Sequence, residues 1–290
     1  MSTDNTLINS DIVKVDSHQH FWQLSRGDYH WLTPELKVLY QDFLPEQLAP
    51  KLIEKGVSQT VLVQAADSEA ETHFLLELAN NEKFIAGVVG WVDMEDPLAI
   101  TRLKGLAKNP YFKGIRPMLQ DIDDVNWILK DEFTPIFEFM AKNQLTFDAL
   151  VKDIHLANIR TLACRHPNLS IVIDHCAKPD LSKAPSDLWI NSLKNIALCQ
   201  NVFIKLSGLL TEAPQGKVNT EEVNSYFEHI FQLFSSERIM WGSDWPVVNL
   251  NGNYDTWVSL TNALLKNHSF EDKRKIWADN AQKFYRLPSH

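Results

Sequence analysis

The sequence has few of the features that mark secreted, membrane-bound or nucleic-acid-binding proteins. Only three of its 290 residues are cysteine, and Cys164, Cys176 and Cys199 show no CxxC spacing. Three thiols cannot all pair with one another, so we expect reduced, buried thiols rather than a disulfide framework. Acidic residues outnumber basic ones, 37 to 28, and the net charge is −9. The chain therefore lacks the basic excess that anchors proteins to nucleic acid or anionic lipid.

Long apolar runs and targeting signals are also missing. No uninterrupted apolar stretch approaches the roughly 20 residues needed to span a bilayer. The first segment, MSTDNTLINSDIVKV, is polar and lacks the basic-then-apolar order of a secretory signal. We therefore expect a cytoplasmic protein with no nucleic-acid or membrane partner.

The chain does contain a repeated alternation of short apolar runs and helical patterns. Most of the runs are continuous rather than alternating, as in strands that are buried on both faces. Between several of them apolar residues recur at helical spacing, for example over Glu69–Asn81. The eight predicted strands are Val13–Trp22, Thr60–Ala66, Phe84–Val92, Phe112–Leu119, Leu145–Val151, Ser170–Ala177, Asn201–Leu210 and Ile239–Val247.

Eight strands that alternate with helices are typical of parallel β–α units. A doubly wound sheet would need a nucleotide signature after the first strand, and neither GxGxxG nor GxxxxGK[ST] occurs there. The pattern therefore predicts the α/β class and a single (β/α)8 TIM barrel, with residues 1–290 as one domain. The segment Gln23–Pro45 is too long for an ordinary connection, so it is expected to form a lid or rim after the first strand.

The first predicted strand ends in an HxH motif, and chemistry in a TIM barrel lies at the carboxyl ends of the strands. At strand spacing, His18 and His20 point to the same side and can converge on one ligand. Two hydrogen-bonded core histidines are the alternative, but a buried polar pair is costly without a role. Asp16 shares their face and lies deeper, where it can orient a histidine.

Two further strand ends carry candidate catalytic groups. The sixth strand ends with His175, which by itself fits a site and a structural role equally well. Asp244 follows Gly242 and Ser243 on the eighth strand, where a lone aspartate is most often a helix cap. The two upstream histidines favour a site instead. The catalytic candidates are His18, His20, His175 and Asp244.

Other residues near the strand ends are candidate substrate contacts. Arg116 has forked donors that suit a carboxylate or carbonyl oxygen, and an ion pair with Asp148 in the barrel mouth is its alternative role. Tryptophan faces suit the apolar side of a ligand ring, and Lys178 can contact hydroxyls or a carboxylate. The predicted substrate contacts are Trp22, Trp31, Arg116, Asp148, Lys178 and Trp245.

This ordered set of motifs resembles the amidohydrolase superfamily, in which HxH on strand one and Asp on strand eight hold a catalytic metal or water. Along the whole chain it resembles the amidohydrolase-related sugar lactonases, such as L-fuconolactonase and L-rhamnonolactonase. The resemblance implies a hydrolase of sugar catabolism that opens a small sugar-acid lactone, with L-fucono-1,4-lactone as the leading example. The matching stretches are Val15–Trp22, Arg26–Leu32, Gly87–Val92, Gly114–Asp121, Ile173–Pro179, Lys205–Glu212 and Trp241–Val247.

The chain departs from the two-metal members of that superfamily at two positions. Those members need a carboxylated lysine or its equivalent after strand four and a histidine after strand five. Here strand four ends with Arg116, and Asp148 stands where the histidine would be. We therefore expect no required cofactor, or at most one divalent cation such as Zn²⁺ held by His18, His20 and Asp244.

In the mechanism that the resemblance implies, Asp244 takes a proton from water as general base. The oxyanion would then develop beside His18, His20 and His175, and Arg116 is a further possible donor. Two alternatives stay open. Zinc-dependent decarboxylases share the HxH motif, the strand-six histidine and the strand-eight aspartate. A barrel that only binds a sugar acid would need no catalysis at all.

Overall fold

The computed structural model describes residues 12–288, in which eight strands alternate with helices. His290 and most of the polar segment at the start of the chain lie outside the described residues. No helix in residues 12–288 has the length and apolar character needed to cross a membrane. The strands are β1 (Lys14–Gln19), β2 (Val57–Val63), β3 (Ile85–Gly90), β4 (Phe112–Ile115), β5 (Thr146–Ala149), β6 (Ser170–Ile173), β7 (Val202–Leu206) and β8 (Ile239–Trp241).

The helices lie in the connections between these strands and after the last one. Helix α2 covers the span predicted from sequence, and its N-cap Ser68 accepts a hydrogen bond from the Glu71 amide. Its buried residues include Leu75 and Ala79, which lie one helical turn apart and so form an apolar stripe. The helices are α1 (Pro45–Lys55), α2 (Glu69–Asn81), α3 (Ala99–Leu106), α4 (Thr134–Lys142), α5 (Leu156–Arg165), α6 (Asp187–Ile196), α7 (Thr220–Phe234), α8 (Tyr254–Leu264), α9 (Phe270–Arg274) and α10 (Asn280–Tyr285).

The strands form one parallel sheet in the order β1 to β8, and each strand pairs with the next one along the chain. The first and last strands meet through residues just beyond β8. The Asp244 amide donates to the His18 carbonyl at 2.8 Å, and the His20 amide donates to the Trp245 carbonyl at 2.7 Å. The predicted (β/α)8 TIM barrel is confirmed, with a seam that joins the HxH segment to Asp244.

The strands are shorter at their carboxyl ends than the sequence predicted. The sixth strand was expected to reach Ala177 but ends at Ile173, and the eighth was expected to reach Val247 but ends at Trp241. The chain leaves the sheet in a left-handed conformation, with φ between 48° and 60° over residues 175–178 and φ of 56° at Asp244. These conformations cost roughly 1–3 kcal/mol each and concentrate at functional sites. The polar strand ends therefore turn into the barrel mouth.

The segment Gln23–Pro45 forms an ordered rim over the barrel mouth. Its base is closed by two hydrogen bonds of 2.9 Å between the backbones of Trp22 and Phe43. Further along, the Trp31 indole donates to the Ala65 carbonyl at 2.7 Å. This second anchor holds the Trp31 ring against the loop that follows β2.

The three cysteines differ in their surroundings. Cys176 is buried, Cys199 is half-buried and Cys164 is exposed. The expectation of buried thiols is therefore wrong for Cys164, because the exposed outer side of α5 carries it. Apolar residues at helical spacing show which side of a helix is buried. Cysteine occurs on both buried and exposed sides, so its position in the sequence does not show whether it is buried.

Candidate active site

The two histidines of the HxH motif lie side by side in the barrel mouth. His18 and His20 are both buried, and their Nε2 atoms are 3.1 Å apart. The His20 Nδ1 atom lies 2.8 Å from the Val63 carbonyl oxygen, which can only accept a hydrogen bond. Nδ1 of His20 therefore carries a proton, and its Nε2 atom faces the mouth.

Asp244 lies against three imidazoles. Its Oδ1 atom is 3.3 Å from Nε2 of His20, 3.6 Å from Nε2 of His18 and 3.8 Å from Nε2 of His175. Burial raises the pKa of this carboxyl, but the His175, His20 and His18 rings outweigh it and bring the pKa below the usual value. The Asp244 carboxylate is therefore ionised at neutral pH and able to accept a proton.

His175 enters the site from the left-handed turn after β6. Its Nδ1 atom is 2.9 Å from the Ser207 hydroxyl, at the end of β7. Burial lowers the pKa of His175 to about 4, against the opposing effect of Asp244. The ring is therefore neutral at pH 7 and can share a hydrogen bond without adding a charge to the mouth.

Gly208 makes room for His175. Its φ is +69°, and a Cβ atom at this position would lie 2.7 Å from the His175 Cβ and 2.8 Å from its Nδ1. Gly208→Ala is expected to displace the ring and to lower the rate of the catalysed reaction by about 10²-fold, since a shift of about 1 Å can cost that much.

The matched control for this variant is Gly216→Ala, which has the same φ of +69° and nothing within 4 Å of the added Cβ. Gly216→Ala has the same backbone strain as Gly208→Ala but no steric clash with a neighbouring side chain. Steady-state kinetics and thermal unfolding of both variants separate the two effects. Equal activity in the two variants would contradict a specific role for the space beside His175.

Arg116 follows β4 and reaches the floor of the mouth. The alternative role predicted for it, an ion pair with Asp148, is not the one found. Its Nη1 atom lies 3.3 Å from Asp174 Oδ2 and 3.4 Å from His18 Nε2, and its Nη2 donates to the Gln64 carbonyl. The guanidinium is buried and faces His18, with Asp174 as its counter-charge.

A buried charge cluster supports the histidines from below. The Lys205 ammonium on β7 is 2.5 Å from Asp148 Oδ2, 3.0 Å from Asp174 Oδ1 and 3.0 Å from His18 Nδ1. The Tyr285 hydroxyl also donates to Asp148, at 2.7 Å. All of these side chains are fully buried or nearly so. With Arg116, the cluster holds two cations and two carboxylates.

Sequence reasoning missed Lys205, Asp174 and Tyr285 as parts of the site. The available signal was Lys205 itself, a charged residue inside the otherwise apolar strand VFIKL. A lysine on a fully buried strand needs a counter-charge, so it points to acidic residues on neighbouring strands. Asp16, expected to orient a histidine ring, instead accepts from the backbone amides of His18 and Ser243 and from the Tyr254 hydroxyl.

The position of Lys205 determines the tautomer of His18. An ammonium or guanidinium group only donates hydrogen bonds, and Lys205 lies closer to Nδ1 of His18, at 3.0 Å, than Arg116 lies to Nε2, at 3.4 Å. Nδ1 of His18 therefore accepts from Lys205, and its Nε2 carries the proton. The Nε2–H group of His18 faces His20 Nε2 at 3.1 Å and Asp244 Oδ1 at 3.6 Å.

A cavity of about 230 Å³ opens above these groups. Among the predicted substrate contacts, Trp31, Arg116 and Lys178 line it, but Trp22, Asp148 and Trp245 do not. Trp22 and Trp245 pack against Phe43 behind the wall. The lining residues are His20, Trp31, Ala65, Arg116, Met118, Gln120, Asp121, Leu150, His175, Lys178, Thr211, Glu212, Asp244 and Val247.

The same residues have the donors that a single divalent cation needs. One ligand atom each of His18, His20 and Asp244 lie within 4.8 Å of one another. Two imidazole nitrogens and one carboxylate oxygen are a common protein ligand set for zinc. To ligate through Nε2, His18 must move its proton to Nδ1, where Asp174 Oδ1 lies 3.5 Å away. The donor set fits a cation, at the cost of that change.

Comparison with known proteins places this arrangement in a family. Residues 15–287 match the family described as amidohydrolase. The chain belongs to the amidohydrolase family. The resemblance predicted from the sequence motifs is therefore confirmed over nearly the whole chain.

Two relatives of this amidohydrolase and one solved structure that shares only its fold illustrate the comparison. An L-fucono-1,5-lactonase of Burkholderia ambifaria is 39% identical, over 94% of this chain and 96% of the relative. A crystal structure of an amidohydrolase from Burkholderia multivorans with bound zinc is 32% identical, with a TM-score of 0.91 over 95% of this chain and all of that one. A dihydroxybenzoic acid decarboxylase from Polaromonas sp. JS666 is 15% identical, with a TM-score of 0.67 over 96% of this chain and 98% of that one, and shares the fold.

Proposed function

We propose that this amidohydrolase hydrolyses a sugar-acid lactone with a water molecule that Asp244 activates. The observation that carries the proposal is the ionised Asp244 carboxylate within 3.3–3.8 Å of three imidazole nitrogens at the base of a small cavity. A lactone is an activated ester, so a carboxylate base and hydrogen-bond donors are sufficient to open it.

In the proposed reaction, Asp244 removes a proton from water as the water attacks the lactone carbonyl carbon. The carbonyl oxygen becomes an oxyanion, which the Arg116 guanidinium stabilises from the cavity floor. The carbon–oxygen bond of the ring then breaks. The proton held by Asp244 passes to the departing ring oxygen, which leaves as the hydroxyl of the open sugar acid.

We propose that one divalent cation on His18, His20 and Asp244 is compatible with this site but not required for it. A bound cation would polarise the carbonyl or lower the pKa of water. The zinc-containing relative at 32% identity supports the presence of a cation. The hydrogen bond from Lys205 to His18 opposes it, because that bond favours the tautomer that cannot ligate through Nε2.

The proposed substrate is a neutral sugar lactone in a cytoplasmic sugar-catabolic setting, with no nucleic-acid or membrane partner. Because the Burkholderia ambifaria relative is an L-fucono-1,5-lactonase, we favour the six-membered 1,5-lactone over the 1,4-isomer expected from sequence. Trp31, Arg116 and Lys178 are the proposed contacts, since all three line the cavity. Trp22, Trp245 and Asp148 would act from behind its wall and floor.

The test is a pH-indicator assay over a panel of lactones, with and without chelator. The panel contains L-fucono-1,5-lactone and the 1,4-lactones of L-fuconate, L-rhamnonate and D-galactonate. Acid release that survives chelation supports the metal-independent reaction. Loss on chelation with recovery on adding Zn²⁺ assigns a cation to His18, His20 and Asp244. No release from any lactone would contradict the proposal and redirect the search to zinc-dependent decarboxylation.

The pH profile of the hydrolysis follows from the same groups. The pKa of Asp244 lies below its usual value and that of His175 is about 4, so both stay in their working forms as pH falls from 8 to about 5. Below that, His175 gains a proton and pairs with the Asp244 base. Corrected for spontaneous hydrolysis, kcat/KM should be level above pH 5 and fall around pH 4. A fall in kcat/KM near pH 6.5, the pKa of an ordinary histidine, would contradict the assignment of this fall to His175.

A further inference from the structure

Besides Asp121, two charged side chains of the cavity take no part in the hydrolytic step or in the buried cluster. Lys178 ends the left-handed turn after β6, and Glu212 lies on the loop after β7. Their Nζ and Oε1 atoms are 3.9 Å apart, and the side chains are 24% and 26% exposed. This separation is too long for a hydrogen bond. Each group therefore keeps free hydrogen-bonding capacity towards the cavity.

Backbone hydrogen bonds fix the positions of both residues relative to the catalytic groups. The Lys178 amide donates to the His175 carbonyl at 2.8 Å, within one tight turn. The Leu181 amide donates to the Glu212 carbonyl at 3.3 Å and so joins the two loops. Burial and the nearby Asp244 raise the pKa of Glu212, while Lys178 lowers it. The pair is thus built into the same turn and loop that position His175.

We propose that Lys178 and Glu212 form a hydroxyl-binding pair that selects the substrate. The ammonium donates to the oxygen of one sugar hydroxyl, and that hydroxyl donates its proton to the carboxylate. A hydroxyl is the group that satisfies both partners at once, because it donates and accepts. A lactone without it leaves both partners unpaired in a partly buried place, which costs binding. This inference rests on the proposed function.

The test compares the fastest lactone of the panel with its monodeoxy analogues. For one analogue, wild-type kcat/KM is expected to be about 10–100-fold lower than for the parent. Glu212→Gln and Lys178→Met should lose a similar factor on the parent lactone and change less than about threefold on that analogue. The control is Lys183→Met, which removes an exposed lysine of the next loop segment that pairs with Asp180.

The outcomes separate the pair from the proposed function. If wild-type protein opens lactones but both variants lose the same factor in kcat/KM on every analogue, Lys178 and Glu212 do not bind a particular hydroxyl. Unchanged kinetics in both variants would also overturn the proposed hydroxyl-binding pair. If wild-type protein opens no lactone, the proposed function fails and the pair fails with it.

A second, independent observation concerns the thiols of Cys164 and Cys199. Cys164 lies on α5, Cys199 lies between α6 and β7, and their Sγ atoms are 3.7 Å apart. Arg238 donates to the Cys199 carbonyl at 3.1 Å, so a cation stands close to the pair. The sulfurs need to approach by about 1.7 Å to reach disulfide length.

The geometry points to Cys164 and Cys199 as a site of oxidation by a hydroperoxide. The exposed Cys164 thiolate attacks a peroxide oxygen, which gives a sulfenic acid and releases water from hydrogen peroxide. The Cys199 thiol then displaces the sulfenic oxygen as a second water, and the disulfide forms. One peroxide is reduced to two waters, and two thiols are oxidised. The new bond would close a loop that contains β6 and the His175 turn.

Counting free thiols tests this site. After one equivalent of hydrogen peroxide, denaturation and maleimide labelling, the wild-type chain should take up one label, on Cys176. The thermal midpoint of oxidised protein should rise, and Cys164→Ser should abolish both effects. Cys176→Ser is the matched control, because that thiol is buried and contacts the Lys205 carbonyl. Three labels after oxidation, or dimers on a non-reducing gel, would overturn the assignment.

Discussion

Asp244→Asn is expected to lower kcat for lactone hydrolysis by about 10²–10⁴-fold, the contribution of a general base. An amide has nearly the same shape as the carboxylate but cannot accept the proton of the attacking water. The backbone hydrogen bond from residue 244 to β1 does not involve the side chain, so the barrel seam should persist. Stopped assays at high enzyme concentration measure the residual rate, and circular dichroism measures the fold.

The control for Asp244→Asn is Asp180→Asn, which changes an exposed carboxylate whose partners are Ser182 and Lys183. That variant should keep wild-type kinetics. Retention of more than about a tenth of the activity in Asp244→Asn would contradict its role as base, because a general base contributes far more than tenfold.

Lys205→Met is expected to destabilise the fold by about 3–5 kcal/mol, because it leaves buried carboxylates without their main counter-charge. Lys205 contacts both Asp148 and Asp174, and neither residue is exposed. Without the lysine, burial raises the folded-state pKa of these acids. The variant should then lose stability as pH rises from the unfolded value of about 4 through the raised value. Urea unfolding at pH 5 and pH 8 measures both effects.

Lys275→Met is the matched control for this variant. Lys275 pairs with Glu237 and Glu271 on the protein surface, where water screens the charges, so its loss should matter far less. Adding Asp148→Asn to Lys205→Met removes one of the stranded charges and should recover part of the stability. A loss below about 1 kcal/mol in Lys205→Met would show that the cluster does not depend on this lysine.

The barrel could be predicted from the sequence because its strands are buried on both faces and so appear as continuous apolar runs. The helix predicted over Glu69–Asn81 agrees with α2 because a Ser N-cap and an apolar stripe both mark it. The strand ends were harder to place. Residues such as Cys176 and Ala177 are apolar and buried, like strand residues, yet they adopt left-handed turns that no local pattern announces.

The structure brings together His18, His20, His175 and Asp244, which the sequence had singled out from their positions at strand ends. Trp245 shows why a residue next to this set does not reach the cavity. It follows Asp244, whose positive φ turns the chain, and so the indole packs on Phe21 and Phe43 instead of facing the cavity. Glu212 escaped prediction because it lies beyond the end of β7, on a loop whose path is decided by tertiary packing.

The seam between β1 and β8 has a consequence for the order in which the protein matures. The Ser243 hydroxyl donates to the His18 carbonyl across 225 positions of sequence, and the Ser243 amide donates to Asp16 across 227. A chain emerging from the ribosome carries its HxH motif long before it gains Asp244. Such long-range contacts form late and slowly. Hydrolytic competence would therefore begin only when the barrel closes, so partly made chains would be inert towards the cell's lactones.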